Sequence, residues 1–122
     1  MRAAQWIFRL AAIYGLLVLL PGLFLEAQFS ATNPPPLTHP IFYYGFYGSA
    51  IVWQLAFLLI ASDPQRYQPL IAIAVLEKAA FLLPALWLRS QGRLADSGPW
   101  WGALIDGLLM LLFLFAWRRT AQ

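Results

Sequence analysis

Four apolar stretches dominate the chain, and each is long enough to cross a lipid bilayer as a helix. They cover residues 5–27, 41–61, 67–88 and 100–117. A spanning helix needs about 20 mostly apolar residues to cross about 30 Å of hydrocarbon. The sequence therefore predicts an all-α fold: a four-helix transmembrane bundle with antiparallel, up-and-down topology, in one membrane domain over residues 1–122.

The composition excludes most soluble classes of protein. Hydrophobic residues make up 61% of the chain and charged residues only 11%, whereas a soluble domain carries about 25% charged residues. The net charge of +3 comes without a basic stripe that follows a phosphate backbone, so no nucleic-acid partner is predicted. The absence of cysteine excludes disulfides, zinc thiolate sites, iron–sulfur clusters and cysteine nucleophiles.

A proline-rich connection follows the first stretch. Residues 28–40 contain three consecutive prolines after Asn33 and a further X-Pro pair at His39 and Pro40, which predicts an extended, polyproline-like and non-helical loop. Its roughly 13 residues reach much further than the roughly 10 Å between neighbouring helix axes. We therefore expect this loop to pack as a semi-rigid cap across the outer end of the bundle.

The distribution of basic residues predicts the orientation, because cytoplasmic loops carry an excess of lysine and arginine. The side with both termini holds Arg2, Arg9, Arg66, Arg118 and Arg119, and the opposite side holds Arg89 and Arg93. Both termini are therefore predicted to be cytoplasmic. A cleaved signal peptide is the alternative interpretation of the first stretch. The apolar run over residues 10–25 is long, and no small-x-small signal-peptidase site follows it closely, so a retained membrane anchor is favoured.

Glu77, Lys78 and Asp106 are ionisable residues that lie within the hydrocarbon part of the predicted spans, away from the span ends. Each costs at least about 2.5–3.5 kcal/mol at the bilayer centre on insertion scales, so we expect all three to point into the bundle. At about 1.5 Å per residue, Lys78 lies about 18 Å below the outer face, Glu77 about 20 Å and Asp106 about 9 Å. The lysine stem extends about 6 Å outward by snorkelling, which brings its ammonium group toward Asp106.

Glu77 requires a different partner in this interpretation. Glu77 and Lys78 project about 100° apart on a helix and do not face each other, so their partners are expected on other helices. Gln54, at a depth of about 21 Å, and the tyrosine hydroxyls of the second span are the candidates for Glu77. The predicted ligand-binding or ion-pair cluster comprises Glu77, Lys78, Asp106, Gln54, Tyr43 and Tyr47.

A second group, Glu26, His39 and Tyr44, lies near the outer interface and is predicted to form an outer vestibule. One histidine beside one glutamate is too few for a metal site, which needs three or four ligands. The sequence contains no G-x-S-x-G, H-E-x-x-H or glycine-rich phosphate motif. No metal, cofactor or catalytic residue is therefore predicted.

Several motifs resemble those of a known family. They are His39-Pro40-Ile41-Phe42-Tyr43-Tyr44-Gly45-Phe46, Trp53-Gln54-Leu55, Asp63-Pro64-Gln65-Arg66-Tyr67-Gln68-Pro69 and Glu77-Lys78. Over residues 39 to about 107 the chain resembles an uncharacterised family of small four-span integral membrane proteins of bacteria, and more loosely it resembles the DoxX-like group. The resemblance implies this architecture and a location in the bacterial inner membrane. The DoxX-like group also implies a link to quinone or terminal-oxidase chemistry, which no motif of this chain assigns to a residue.

Several functions stay open from the sequence. The cluster is typical of a binding or accessory membrane protein that holds a lipid, a quinone or another small apolar ligand, or that contacts a partner subunit or a second copy of itself. The alternative is a small transporter or proton-conducting subunit that uses Glu77, Lys78 and Asp106. An intramembrane enzyme with Glu77 as acid or base lacks a second catalytic group with a defined role. An ion-pair cluster that only fixes helix register is also compatible with the sequence.

Overall fold

The computed structural model describes residues 2–33 and 35–121, and every regular element within them is an α-helix. The helices are α1 (Arg2–Gly22), α2 (Glu26–Thr32), α3 (Pro40–Ser62), α4 (Gln68–Ser90) and α5 (Gly98–Thr120). The four long helices have 21 to 23 residues, or about 32–35 Å, which matches the hydrocarbon thickness. All four are apolar enough to cross a membrane. The predicted four-helix bundle is confirmed, and the chain is a multi-pass helical membrane protein.

Proline and glycine set the ends of the long helices. Helices α3, α4 and α5 each carry a proline in their first two positions. A backbone N–H in the first turn has no carbonyl partner within the helix, so proline costs no hydrogen bond there. Helix α4 ends just before Gly92, whose φ of 71° is a left-handed conformation that glycine adopts without strain. The Arg93 N–H then donates to the Leu88 carbonyl oxygen at 2.9 Å and closes the last turn.

The structure corrects the prediction at the end of the first span. The sequence predicts a span over residues 5–27 and a non-helical loop over residues 28–40, but α1 ends at Gly22 and α2 occupies Glu26–Thr32. Pro21 weakens the last turn of α1, because it supplies no N–H to the helix. Helix α2 ends at Thr32 because the next residue, Asn33, precedes a proline in the sequence, and a residue before proline avoids the α conformation. Residues 35–39 are non-helical as predicted, and Pro34 lies outside the described residues.

The long helices pack unequally. Helix α1 packs mainly against α3, and α4 packs mainly against α5; contact between α1 and α5 joins the two pairs. Helices α3 and α4 touch at few points. We call the end of the bundle with Arg2, residues 63–67 and Thr120 the terminal end, and the end with residues 23–33, 35–39 and 91–97 the loop end.

An apolar core fills the terminal half of the bundle. Phe8, Phe57 and Phe113 are fully buried, with ring centroids 4.3 to 6.0 Å apart. We call these three rings the phenylalanine layer. Buried alanines from all four long helices surround the layer and let the backbones approach closely: Ala4, Ala11, Ala12, Ala61, Ala74 and Ala116.

Candidate functional site

A cavity of about 770 Å³ lies in the loop-end half of the bundle. All four long helices line it, and α2 and residues 35–39 contribute side chains at its mouth. Much of the wall is aromatic, with Tyr14, Tyr47, Trp53 and Phe81 among the lining residues. The cavity occupies space that the sparse contact between α3 and α4 leaves open.

The three intramembrane charges meet in the wall of this cavity. The Nζ of Lys78 donates a hydrogen bond to Asp106 Oδ1 at 3.3 Å and lies 3.5 Å from Glu77 Oε1. It also lies 5.2 Å from the centroid of the Phe57 ring, within reach of a cation–π contact. The Lys78 side chain is 7% exposed, whereas those of Glu77 and Asp106 are 18% and 20% exposed. The carboxylates therefore face the cavity more openly than the ammonium group does.

The structure agrees with the predicted pairing of Lys78 and Asp106 but corrects the partner of Glu77. Within the described residues Glu77 makes no hydrogen bond to Gln54 or to a tyrosine hydroxyl, and its carboxylate lies beside Lys78. Neighbouring side chains diverge by about 100° where they leave a helix. The flexible four-carbon lysine stem brings the charged ends back together. The separation of about 100° between adjacent helical residues therefore describes their Cβ atoms but not the charged ends of long side chains.

Gln54 belongs to the packing between α1 and α3. It is 2% exposed, and its Nε2 donates to the Ala50 carbonyl oxygen at 2.8 Å. Its amide group lies against Gly15 of α1, where an added Cβ atom would overlap Gln54 Oε1. Gln54 thus lines the cavity with its polar group already bonded to its own helix.

Two tyrosines of the first turns of α3 hold the mouth of the cavity. The Tyr43 hydroxyl donates to the Gly22 carbonyl oxygen at 2.6 Å, and the Tyr44 hydroxyl donates to Glu26 Oε1 on α2 at 2.8 Å. The ring of Phe29, also on α2, lies 5.2 Å from the Tyr43 ring. These contacts fix the end of α1 and the short helix α2 against α3 at the loop end.

The predicted outer-vestibule residues have two different positions. His39 lines the cavity, whereas Glu26 and Tyr44 bond to each other beside its mouth. Tyr43 and Tyr47, which were predicted for the inner cluster, both line the cavity with their ring centroids 4.6 Å apart. The structure thus brings the six predicted cluster residues and His39 to one cavity.

Sequence reasoning missed several cavity residues, of which Tyr14 is the most informative. Tyr14 lines the cavity on the same face of α1 as Ala11, Gly15 and Val18. These positions follow the i, i+3, i+4 and i+7 spacing of one helix face. Small and polar aromatic residues on one face of an otherwise apolar span were therefore an available signal. Trp53 and Phe81 carry no such signal, because aromatic residues are common throughout the spans.

The cavity is blind toward the terminal end. The phenylalanine layer closes the bundle beneath Lys78, and each of its rings is fully buried. The described buried polar group closest to the terminal end, the Thr120 hydroxyl, donates to the Ala116 carbonyl oxygen of its own helix at 2.7 Å. An apolar layer offers a proton or an ion no polar partner, and desolvation there is costly.

The cavity has the chemistry of a small-molecule site. The described residues contain no group of three or more histidine, aspartate or glutamate side chains placed to hold a metal ion. Apolar walls with a few convergent polar groups and a volume of about 300–1,000 Å³ are typical of sites for small organic ligands. No protein-family model, curated protein or solved structure matches the chain significantly.

Proposed function

We propose that this membrane protein is a binding or accessory protein that holds a lipid, a quinone or another small apolar ligand in its intramembrane cavity. The observation that carries the proposal is a blind cavity of about 770 Å³ with aromatic walls and three charged groups. A purely structural ion pair needs no such volume, because close packing around it lowers the free energy of the fold. The cavity thus favours binding over register alone.

The loosely packed α3–α4 side of the cavity also supports binding of a membrane-soluble molecule. The α3–α4 seam, where Phe46 and Phe81 approach to 5.5 Å between ring centroids, is the least packed side of the bundle. A ligand dissolved in the bilayer reaches this seam without crossing water.

A transporter or proton-conducting subunit is the second candidate, and the cluster of Glu77, Lys78 and Asp106 is the observation that favours it. Such a subunit needs polar groups that reach both faces of the membrane. The phenylalanine layer separates the polar groups of the cavity from the terminal end of the bundle. In proteoliposomes this candidate predicts a proton flux that Glu77→Gln abolishes, and the binding proposal predicts no flux above that of empty vesicles.

The proposal includes a location and an orientation. We place the chain in the bacterial inner membrane with both termini in the cytoplasm, as a distant member of the four-span, DoxX-like group. The terminal end carries most of the arginines, including Arg2, Arg9 and Arg66, which is the distribution typical of a cytoplasmic face. A partner membrane subunit or a second copy of the chain is compatible with this role.

Equilibrium binding of menadione, a small neutral quinone, tests the proposal. The purified protein in detergent should bind it saturably, and Ala50→Phe should weaken binding by about tenfold or more, because Ala50 lines the cavity and a ring there fills it. Val52→Phe is the matched control, since Val52 is 63% exposed on the lipid side of the same helix. Equal loss in both variants, or unsaturable partitioning in the wild type, would overturn the proposal.

A further inference from the structure

The charges at the cavity are unbalanced. Two carboxylates, Glu77 and Asp106, surround the single ammonium group of Lys78. At formal charges the cluster therefore carries one negative charge in excess. In a site of low polarity an uncompensated carboxylate either takes up a proton or pairs with a cation in the adjacent volume.

The geometry leaves the carboxylates, and not the ammonium group, free for a ligand. The Nζ of Lys78 donates to Asp106 Oδ1, lies 3.5 Å from Glu77 Oε1 and lies 5.2 Å from the centroid of the Phe57 ring, so it is already paired with both carboxylates. Within the described residues the second oxygen of each carboxylate makes no hydrogen bond to a side chain or backbone donor. The carboxylates are also more than twice as exposed as Lys78. A molecule that enters the cavity thus meets acceptors and negative charge.

The aromatic walls add to this preference. Asp106, Tyr14 and Tyr47 lie about 10–12 Å from the loop-end termini of their helices, and Trp53 and Glu77 lie about 20 Å from them. Each carboxylate therefore shares its level of the cavity with at least one aromatic side chain that lines the same space. Aromatic faces attract organic cations, most strongly where water is excluded.

From these observations we infer that the preferred ligand is a hydrophobic organic cation: a molecule with an apolar body, one positive charge and no phosphate or carboxylate group. The inference rests on the proposed ligand-binding function and specifies its ligand class. An anionic group would meet two carboxylates and a largely buried lysine that already contacts both of them. A bare metal ion would lose its hydration without a set of ligands to replace it, whereas an organic cation buries its body against the apolar wall.

A pair of ions with the same shape and opposite charge tests the inference. Tetraphenylphosphonium and tetraphenylborate are titrated into the wild type, Glu77→Gln and Asp106→Asn in the same detergent, and menadione serves as a neutral probe of the wild-type cavity. We expect the wild type to bind the phosphonium saturably, and each variant to bind it about tenfold or more weakly. Gel filtration and circular dichroism of the variants should match those of the wild type, which shows that the bundle has kept its fold.

A charge control and a competition measurement complete the test. Asp96→Asn also removes one negative charge, but Asp96 pairs with Arg89 outside the cavity, so phosphonium binding should not change. Menadione should compete with the phosphonium in the wild type, and this measurement does not depend on how the variants fold. The borate ion controls for partitioning into the micelle, and its affinity should not fall in Glu77→Gln or Asp106→Asn.

The outcomes separate the two proposals. If menadione binds and is blocked by Ala50→Phe, but the phosphonium binds no more weakly to Glu77→Gln and Asp106→Asn than to the wild type, the cation inference is wrong and the ligand-binding function stands. If borate competes with menadione better than the phosphonium does, the inference is wrong as well. If menadione does not bind saturably to the wild type, the proposed function itself fails.

Discussion

Removal of the only lysine should destabilise the bundle strongly. Lys78 Nζ lies 3.3 Å from Asp106 Oδ1 and 3.5 Å from Glu77 Oε1, and its side chain is 7% exposed. At these distances each contact is worth about 5 kcal/mol before desolvation is subtracted, with an effective dielectric constant of about 20. Lys78→Met keeps most of the apolar stem but leaves two carboxylates uncompensated. We therefore expect the free energy of unfolding to fall by about 3–5 kcal/mol.

Combined variants separate this effect from lost packing. Lys78→Met with Asp106→Leu should recover part of the loss, because it removes one of the two orphaned charges. Recovery should be incomplete, since Glu77 remains without its cation, and addition of Glu77→Gln should recover more. This stepwise recovery of stability is expected for a cluster of three charged residues. In an isolated Lys78–Asp106 pair, the double variant alone would restore stability.

Unfolding in mixed micelles, followed by circular dichroism as sodium dodecyl sulfate is added, measures these differences. Arg89→Met is the matched control, because Arg89 and Asp96 form an ion pair with 37% and 65% of their side chains exposed. Exposed pairs contribute about 0–1 kcal/mol, so this control should change little. A double variant no more stable than the worse of its single variants would refute the reasoning.

The remaining predictions concern packing and topology. Gly15→Ala should destabilise the bundle by about 1–3 kcal/mol, because its Cβ overlaps Gln54; Gly48→Ala, which meets no atom within 4 Å, is the control in the same unfolding assay. Tyr43→Phe should cost about 0.5–1.5 kcal/mol in the same assay, since it removes one hydrogen bond to the buried Gly22 carbonyl oxygen, which then accepts only from the Leu25 N–H. A reporter fused after Arg66 should be active in the cytoplasm and one fused after residue 36 in the periplasm; the reverse pattern would contradict the orientation.

The sequence predicts the long helices well because their signal is local. Each span is recognisable from about 20 consecutive apolar residues, and no knowledge of neighbouring helices is needed. The depths of Lys78 and Asp106 in the membrane are also predictable from nearby sequence, because each follows from counting residues along one helix. Their 3.3 Å hydrogen bond shows that two depths on antiparallel helices are enough to identify a pair when few charges compete.

The sequence predicts side-chain contacts and the cavity less well, because they depend on the conformations of long side chains and on the rotation of each helix about its axis. The Glu77 carboxylate lies beside Lys78 because of flexible stems, which a helical wheel does not describe. The cavity itself arises because α3 and α4 pack loosely, and the spans are too uniformly apolar to fix which faces meet. The prolines after Asn33 predict a non-helical loop, and the predicted loop extends back to residue 28. The residues of α2 are themselves compatible with a helix, but this loop covers most of them, so α2 was not predicted.

Photolabelling with a diazirine-bearing naphthoquinone tests the central claim, that the cavity holds a small apolar ligand, most directly. The protein is labelled in a bilayer and digested, and the modified residues are identified by mass spectrometry. We expect saturable labelling of cavity positions such as Tyr47, Trp53 and Phe81, which menadione competes away and Ala50→Phe reduces. Labelling confined to lipid-facing positions such as Val52 and Leu55, without saturation or competition, would contradict the claim.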